Sequence, residues 1–307
     1  MTFRFLIVSL LAIALLFVRS AIADERASLD VGDATIVVEW DEALAPVSSD
    51  LKQWVGHSAR AVARYYGRFP AKRLSLRLEP RSGGGVGGGV TTNTDGAQIE
   101  IRVGTSVTRE QLADDWVLVH ELVHLALPEV GRRHNWLAEG LATYVEGIAR
   151  AQAGTRPVAD VWSEFLRSMP VGLPKRGEGG LDETHTWART YWGGALFCLQ
   201  ADVSIREQSG NRHTLRDALV AILAATGGYA GPSAPRGVDI NEVFRIGDRA
   251  THTTVLTDLY TRMKDSPDAP DLDALWQRLG VSGHGSRIEF DDRASLATIR
   301  ADITTGR

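Results

Sequence analysis

The sequence predicts an α+β fold, with a small sheet and a buried helix in its first half and helices making up most of the second. Three observations carry that expectation. Apart from a short stretch near the end of the chain, runs that are β-branched or that alternate apolar with charged residues lie before residue 105. Amphipathic helical runs take over after it. From about residue 155 helical segments alternate with Gly- and Pro-rich loops. The chain of 307 residues is 44% hydrophobic and 23% charged, an ordinary globular balance with material for one large or two modest domains. No internal repeat is visible.

The first element is expected to be a signal peptide over residues 1–23. Arg4 precedes an apolar run from Phe5 to Val18, which closes on Ala21-Ile22-Ala23, a small-x-small pattern of the kind cleaved on export. The run is short for a membrane span, which needs ~20 residues. Export to the periplasm or the extracellular space is therefore expected, with no stable span after cleavage; an uncleaved N-terminal anchor is the alternative. Cleavage removes Arg4 and Arg19 and no acids, leaving 32 basic against 38 acidic residues, a net charge of −6. Neither that balance nor the pI of about 6.1 suits a nucleic-acid partner. Cys198 is the single cysteine, so no intramolecular disulfide can form, and its run "GALFCLQ" reads as core.

"DATIVVEW" reads as a strand over 33–40, and the following serines open a helix that Pro70 stops. "RLSLRLEP" and "AQIEIRVG" alternate and read as strands. Between them "GGGVGGGV" reads as a mobile loop over a cleft, beside a strand at 98–103 whose edge could pair with an extended peptide. It lacks the Gly-Lys-Ser/Thr ending of a phosphate loop. A continuous helix is expected from the Thr108 cap to the Pro128 stop, and another over 135–151 after the short loop "EVGRRHN". Helices follow at 158–168, 186–208, 215–225, 253–263 and 272–279, with a short strand and a last helix closing the chain. The expected organisation is an α+β part over 24–150 and a mainly helical part over 151–307 that completes the cleft.

The chemistry lies in "HELVH". One turn of helix is 3.6 residues, so His120 and His124 project from one face and can share a zinc ion, with Glu121 beside it as a base. A catalytic zinc takes three protein ligands and keeps one open position. "NWLAEGLATYVE" offers the third: Glu139 follows His124 with 14 residues between them, at the start of a helix that a tight loop returns antiparallel to the first.

"HELVH" followed by "WLAEGLATYVE" resembles the gluzincin metallopeptidases, particularly their aminopeptidase N-like and glycyl-aminopeptidase-like groups. The match falls on Trp136, Leu137, Glu139 and Gly140. The resemblance implies a zincin-like first half, one Zn²⁺ per chain on His120, His124 and Glu139, and hydrolysis of a peptide or protein substrate with Glu121 as base. "RTYWGGALFCLQAD" is similar to the family's tyrosine-x-x-glycine segment, which implies that the Tyr191 hydroxyl stabilises the oxyanion, with Gly194 at the glycine position. The resemblance covers residues 95–200. It departs from the family where aminopeptidases carry a glycine-x-x-glutamate segment for the substrate's free amino terminus. No glutamate closely follows the glycines here, leaving Asp95 or Glu100 as substitutes. A peptide-binding relic of the same fold and a zinc hydrolase of non-peptide amides or esters stay open as alternatives.

Around this set, Thr143 and Glu146 are one and two turns beyond Glu139 and could hydrogen-bond a ligand histidine, as could Asp114 and Asp115. His134 reads as solvated and His185 as a residue that could line the cleft. His57, His213, His252 and His284 have no partner pattern.

Overall fold

The computed structural model describes residues 25–231, 237–284 and 287–306. The expected signal peptide over 1–23 lies outside the described residues.

β1 (Glu25–Val31) and β2 (Ala34–Trp40) form an antiparallel hairpin turned at Gly32, whose φ of 63° suits glycine. β2 buries Ala34, Ile36, Val38 and Trp40, the alternate residues that face the core. α1 (Ser48–Tyr66) then crosses the sheet on Leu51, Trp54, Val55, Ala59, Val62 and Tyr66, and ends at Gly67 in the left-handed conformation. β3 (Arg73–Arg81) returns parallel to β2, and β4 (Val86–Thr92) and β5 (Gln98–Gly104) complete a five-stranded sheet of order β1-β2-β3-β5-β4. β5 is parallel to β3 and antiparallel to β4, which leaves β4 at the sheet edge.

Two expectations are corrected here. The glycine tract is the strand β4, with a bulge between Val86 and Gly89, where a loop was expected. The long helix over 108–127 is two helices, α2 (Arg109–Asp114) and α3 (Val117–His124). The break comes at Asp115, whose backbone is extended and whose carboxylate accepts the amides of Val117 at 3.0 Å and Leu118 at 3.1 Å. That side chain does for α3 what a capping residue does, satisfying orphan donors of its first turn.

α4 (Asn135–Gln152) and α5 (Val158–Ser168) follow as expected. The next helix opens with a π turn, Arg189–Gly193, before α6 (Gly194–Ser209). α7 (Leu215–Thr226), α8 (Ile240–Thr251), α9 (Val255–Met263) and α10 (Leu272–Leu279) form the remaining helical layer. A small hairpin, β6 (Val281–His284) and β7 (Arg287–Phe290), precedes α11 (Ala297–Thr305). A continuous buried apolar cluster runs from Ile36 and Leu76 in the sheet through Trp136 and Phe197 to Phe244 and Ile303. The division expected near residue 150 falls inside α4. Among the described residues no helix is long and apolar enough to cross a membrane.

Candidate metal centre and cleft

α3 is buried along its length, with His124 the only half-buried residue. The helical repeat therefore delivers His120, Glu121 and His124 into one cleft instead of onto the surface. The loop from α3 back to α4 is fixed by a buried carboxylate. Asp182 accepts Trp136 Nε1 at 2.7 Å and the Tyr260 hydroxyl at 2.8 Å, and lies 2.8 Å from His134 Nδ1. His134 is thus tied to Asp182, where the sequence suggested a solvated side chain. With its first turn anchored, α4 presents Glu139 to α3.

The crossing of α4 with α6 depends on two glycines. A Cβ on Gly140 would overlap the Gly194 backbone, and one on Gly194 would lie 2.8 Å from the Gly140 Cα. This close approach brings the π turn and Tyr191 beside Glu139. β4 closes the cleft from the sheet side, again through a glycine: a Cβ on Gly89 would stand 2.7 Å from Glu121 Cγ.

The three expected ligands converge. Their donor atoms all lie within 4.8 Å of one another, with His120 Nε2 3.2 Å and His124 Nε2 3.6 Å from Glu139 Oε2. Two imidazole nitrogens and one carboxylate oxygen are a donor set that suits zinc and leaves a coordination position for water or substrate. Burial and the neighbouring His120 push the His124 imidazole down to about 4, so it is neutral with its lone pair available. Burial works to raise the Glu139 carboxyl, but His120 and His124 outweigh it and hold the group below the usual carboxylate range.

Around the ligands, Glu121 is buried, and burial raises its carboxyl against a hydrogen bond from Thr91. Thr91 Oγ1 is 2.6 Å from Glu121 Oε2 and 3.1 Å from the Glu121 carbonyl oxygen, so β4 grips the residue at two points. The Tyr191 hydroxyl hydrogen-bonds Glu139; burial and that carboxylate push the phenol up to about 12, which keeps it a proton donor. Its ring stacks on His120 with centroids 6.0 Å apart.

The other expected residues divide. Thr143 donates to the Glu139 carbonyl within α4 at 2.7 Å and Asp115 caps α3, so those hydrogen bonds go to backbone and not to a histidine. Glu146 is buried and paired with Arg156 at 3.2 Å and Arg150 at 3.6 Å, yet burial still raises it to about 7. Glu146 Oε2 and His120 Nδ1 are both buried without a hydrogen-bond partner. Asp114 and His185 are exposed; His185, Asp95 and Glu100 are not among the cleft-lining residues. His213 and His252 face one another at 5.3 Å between ring centroids. The cleft, of about 510 Å³, is lined by β4, α3, the 127–132 loop, the first turns of α4, Tyr191 and Tyr229. Thr91, Trp116 and Asp182 escaped the sequence reading. Only Thr91 left a trace, as the β-branched end of the glycine run.

The fold has solved counterparts. An aminopeptidase N family protein from Idiomarina loihiensis superposes with a TM-score of 0.61 at 12% identity, over 84% of this chain and 49% of that one. The M1 zinc metallopeptidase from Deinococcus radiodurans superposes at 0.54 with 16% identity, over 81% of this chain and 53% of that one. This chain has the M1 metallopeptidase fold. A two-domain M1 zinc metallopeptidase variant bound to L-arginine gives 0.52 at 14% identity, over 78% and 51%. The chain spans about half the length of the M1 structures it matches. No family model matches the sequence, and no curated protein matches it.

Proposed function

We propose that this chain is a zinc-dependent peptidase that acts after export and uses Glu121 as its base. The observation that supports it most is the setting of Glu121. The carboxylate is buried next to the His–His–Glu cluster and held by Thr91 under the edge strand β4. A purely binding site would need the three ligands but not this fourth group.

The residues present fit zinc, with His120 Nε2, His124 Nε2 and a Glu139 oxygen to hold it. Bound there, zinc would supply a Lewis acid that makes water acidic near neutral pH and polarises a carbonyl. The remaining work falls to the protein. β4 has an unpaired edge that can align an extended peptide by main-chain hydrogen bonds. Thr91 occupies Glu121 Oε2, leaving the other oxygen to take the proton of the attacking water and pass it to the leaving nitrogen. A carboxyl raised by burial is a stronger base than one in water, which suits that transfer. Tyr191, protonated and beside Glu139, turns its hydroxyl to the oxygen on which negative charge grows.

The test compares wild type with Glu121→Gln on a mixed peptide library read by mass spectrometry. Cleavage that falls by ~10²–10⁴-fold in a variant that still binds zinc supports the assignment. Equal cleavage by both proteins would remove Glu121 from the reaction.

A further inference from the structure

A second cavity, of about 310 Å³, lies between α1, α2, the start of α3 and the end of α4. None of its lining residues lines the metal cleft. Trp54, Ser58 and Ala61, at positions i, i+4 and i+7 of α1, present one face of that helix to it, and Leu112 and Val119 close it from α2 and α3. These five residues are buried, whereas Gln53, His57 and Ala113, which also line it, are exposed and open it to solvent.

The charges in the lining already have partners. Arg109 Nη2 lies 2.7 Å from Asp50 Oδ1, and Arg150 donates to the Ala113 carbonyl at 3.1 Å and pairs with Glu146. Asp115 accepts the amides of Val117 and Leu118. Two aspartates and two arginines leave no net charge there to attract an ion. What remains is one neutral donor and spare capacity on one acceptor. Trp54 Nε1 is buried without a hydrogen-bond partner. It stands near enough to Asp115 to favour the ionised carboxylate, yet makes no hydrogen bond of normal geometry to it. Each Asp115 oxygen accepts one backbone amide and has a lone pair left. Burial outweighs these donors and raises the carboxyl, so a further N–H would stabilise its charge.

We propose that this cavity binds a small neutral amide with a compact aromatic or aliphatic body. The amide oxygen accepts from Trp54 Nε1 and the amide N–H donates to Asp115, bridging two groups that do not bond each other. The body fills the space between Ala61, Leu112 and Val119. An amide carries its acceptor and its donor side by side, which a ketone or an ester does not. A carboxylate would also set a second negative charge beside Asp115. A bridging water would satisfy the same two groups but leave the apolar wall unfilled. The volume sits at the small end of the ~300–1,000 Å³ range of ligand pockets, which suits one small molecule and no folded partner. Because Asp115 also caps α3, contact with the ligand reaches the helix of His120 and His124 without passing through the cleft. The site needs neither zinc nor peptidase activity.

The probe is benzamide, with acetophenone and benzoate as controls that keep the ring and an oxygen but lack the N–H. The purified chain is labelled with ¹⁵N at the indole nitrogens of its eight tryptophans, and the signal that Trp54→Phe lacks is that of Trp54. Benzamide is expected to shift the Trp54 signal saturably. Read from that signal, it is expected to bind roughly 10-fold or more tightly than either control, as loss of a hydrogen bond to a charged group implies. Trp54→Phe keeps the apolar wall and, by calorimetry, is expected to weaken benzamide several-fold. A crystal grown with benzamide needs no variant, and the molecule is expected between α1 and α2. A Trp54 signal that stays put up to the solubility limit of benzamide overturns the proposal. So does equal or tighter binding of a control, or a crystal with benzamide only in the metal cleft or with water alone in this cavity.

Discussion

Gly89→Ala tests how the sheet edge is fitted to the reacting groups. The added Cβ would stand 2.7 Å from Glu121 Cγ and 3.2 Å from Glu121 Cδ, and closer still to the Ile101 side chain. Carbon atoms rest at ~3.5–4.0 Å, so roughly 1 Å of separation has to be found. Ile101 is fully buried in the sheet and cannot yield. Glu121 must move, or β4 must lift and take Thr91 with it. Either way the carboxylate leaves its position, and a displacement of ~1 Å in a reacting group can cost ~10²-fold in rate. Overpacking of this kind also costs about 1–3 kcal/mol of stability. At roughly 2–4 °C of Tm per kcal/mol, the melting temperature drops by several degrees. The assay is kcat/KM on a peptide that wild type cleaves, with zinc content and a thermal melt on the same preparations. Zinc content is expected to stay at the wild-type value, because the ligands lie on α3 and α4. A rate within twofold of wild type would refute the reasoning, since it would mean that β4 does not lie against Glu121.

Thr91→Val removes the hydroxyl that stabilises the ionised Glu121. Burial already raises that carboxyl, and losing the hydrogen bond raises it further. The base works only when deprotonated, so the acid limb of the kcat/KM profile is expected to move to higher pH. A limb that stays put or moves down in a pH titration would separate Thr91 from the base. Asp182→Ala leaves Trp136 Nε1 and the Tyr260 hydroxyl buried without their acceptor, at about 1–3 kcal/mol for each. A lower midpoint in urea, together with weaker zinc retention because α4 loses its anchor, is the expected outcome; an unchanged midpoint would show that the loop holds without this hub.

The centre was legible in the sequence because its geometry is local. The 3.6-residue repeat fixes His120 and His124 on one face, and a short loop between antiparallel helices leaves Glu139 little choice of neighbour. Gly140 and Gly194 could be matched to a pattern, but their reason, the near-contact of two backbones, is visible only in the fold. What escaped depends either on partners distant in the chain or on which nearby amides a side chain turns to cap. β4 has only a weak propensity signal, since three successive glycines interrupt the valines and threonines of "VGGGVTT"; pairing with β5 and the tight approach to Glu121 make it a strand. The break between α2 and α3 has no Gly or Pro to announce it and is made by the Asp115 side chain turning back to cap α3. β1 and α8 were missed for a related reason. β1 has only a weak alternation, and its register is set by β2. α8 follows a polar stretch and is started by Asp239, which accepts the amides of Asn241 and Glu242.

The central claim is a zinc site made by His120, His124 and Glu139, and its most direct test is the metal content of the purified chain. Protein prepared without chelator or added metal is assayed by elemental analysis beside Glu139→Ala. The account predicts one zinc per wild-type chain and a clear loss in the variant. A wild-type value near zero that zinc titration cannot raise would contradict it, as would full zinc retention in Glu139→Ala.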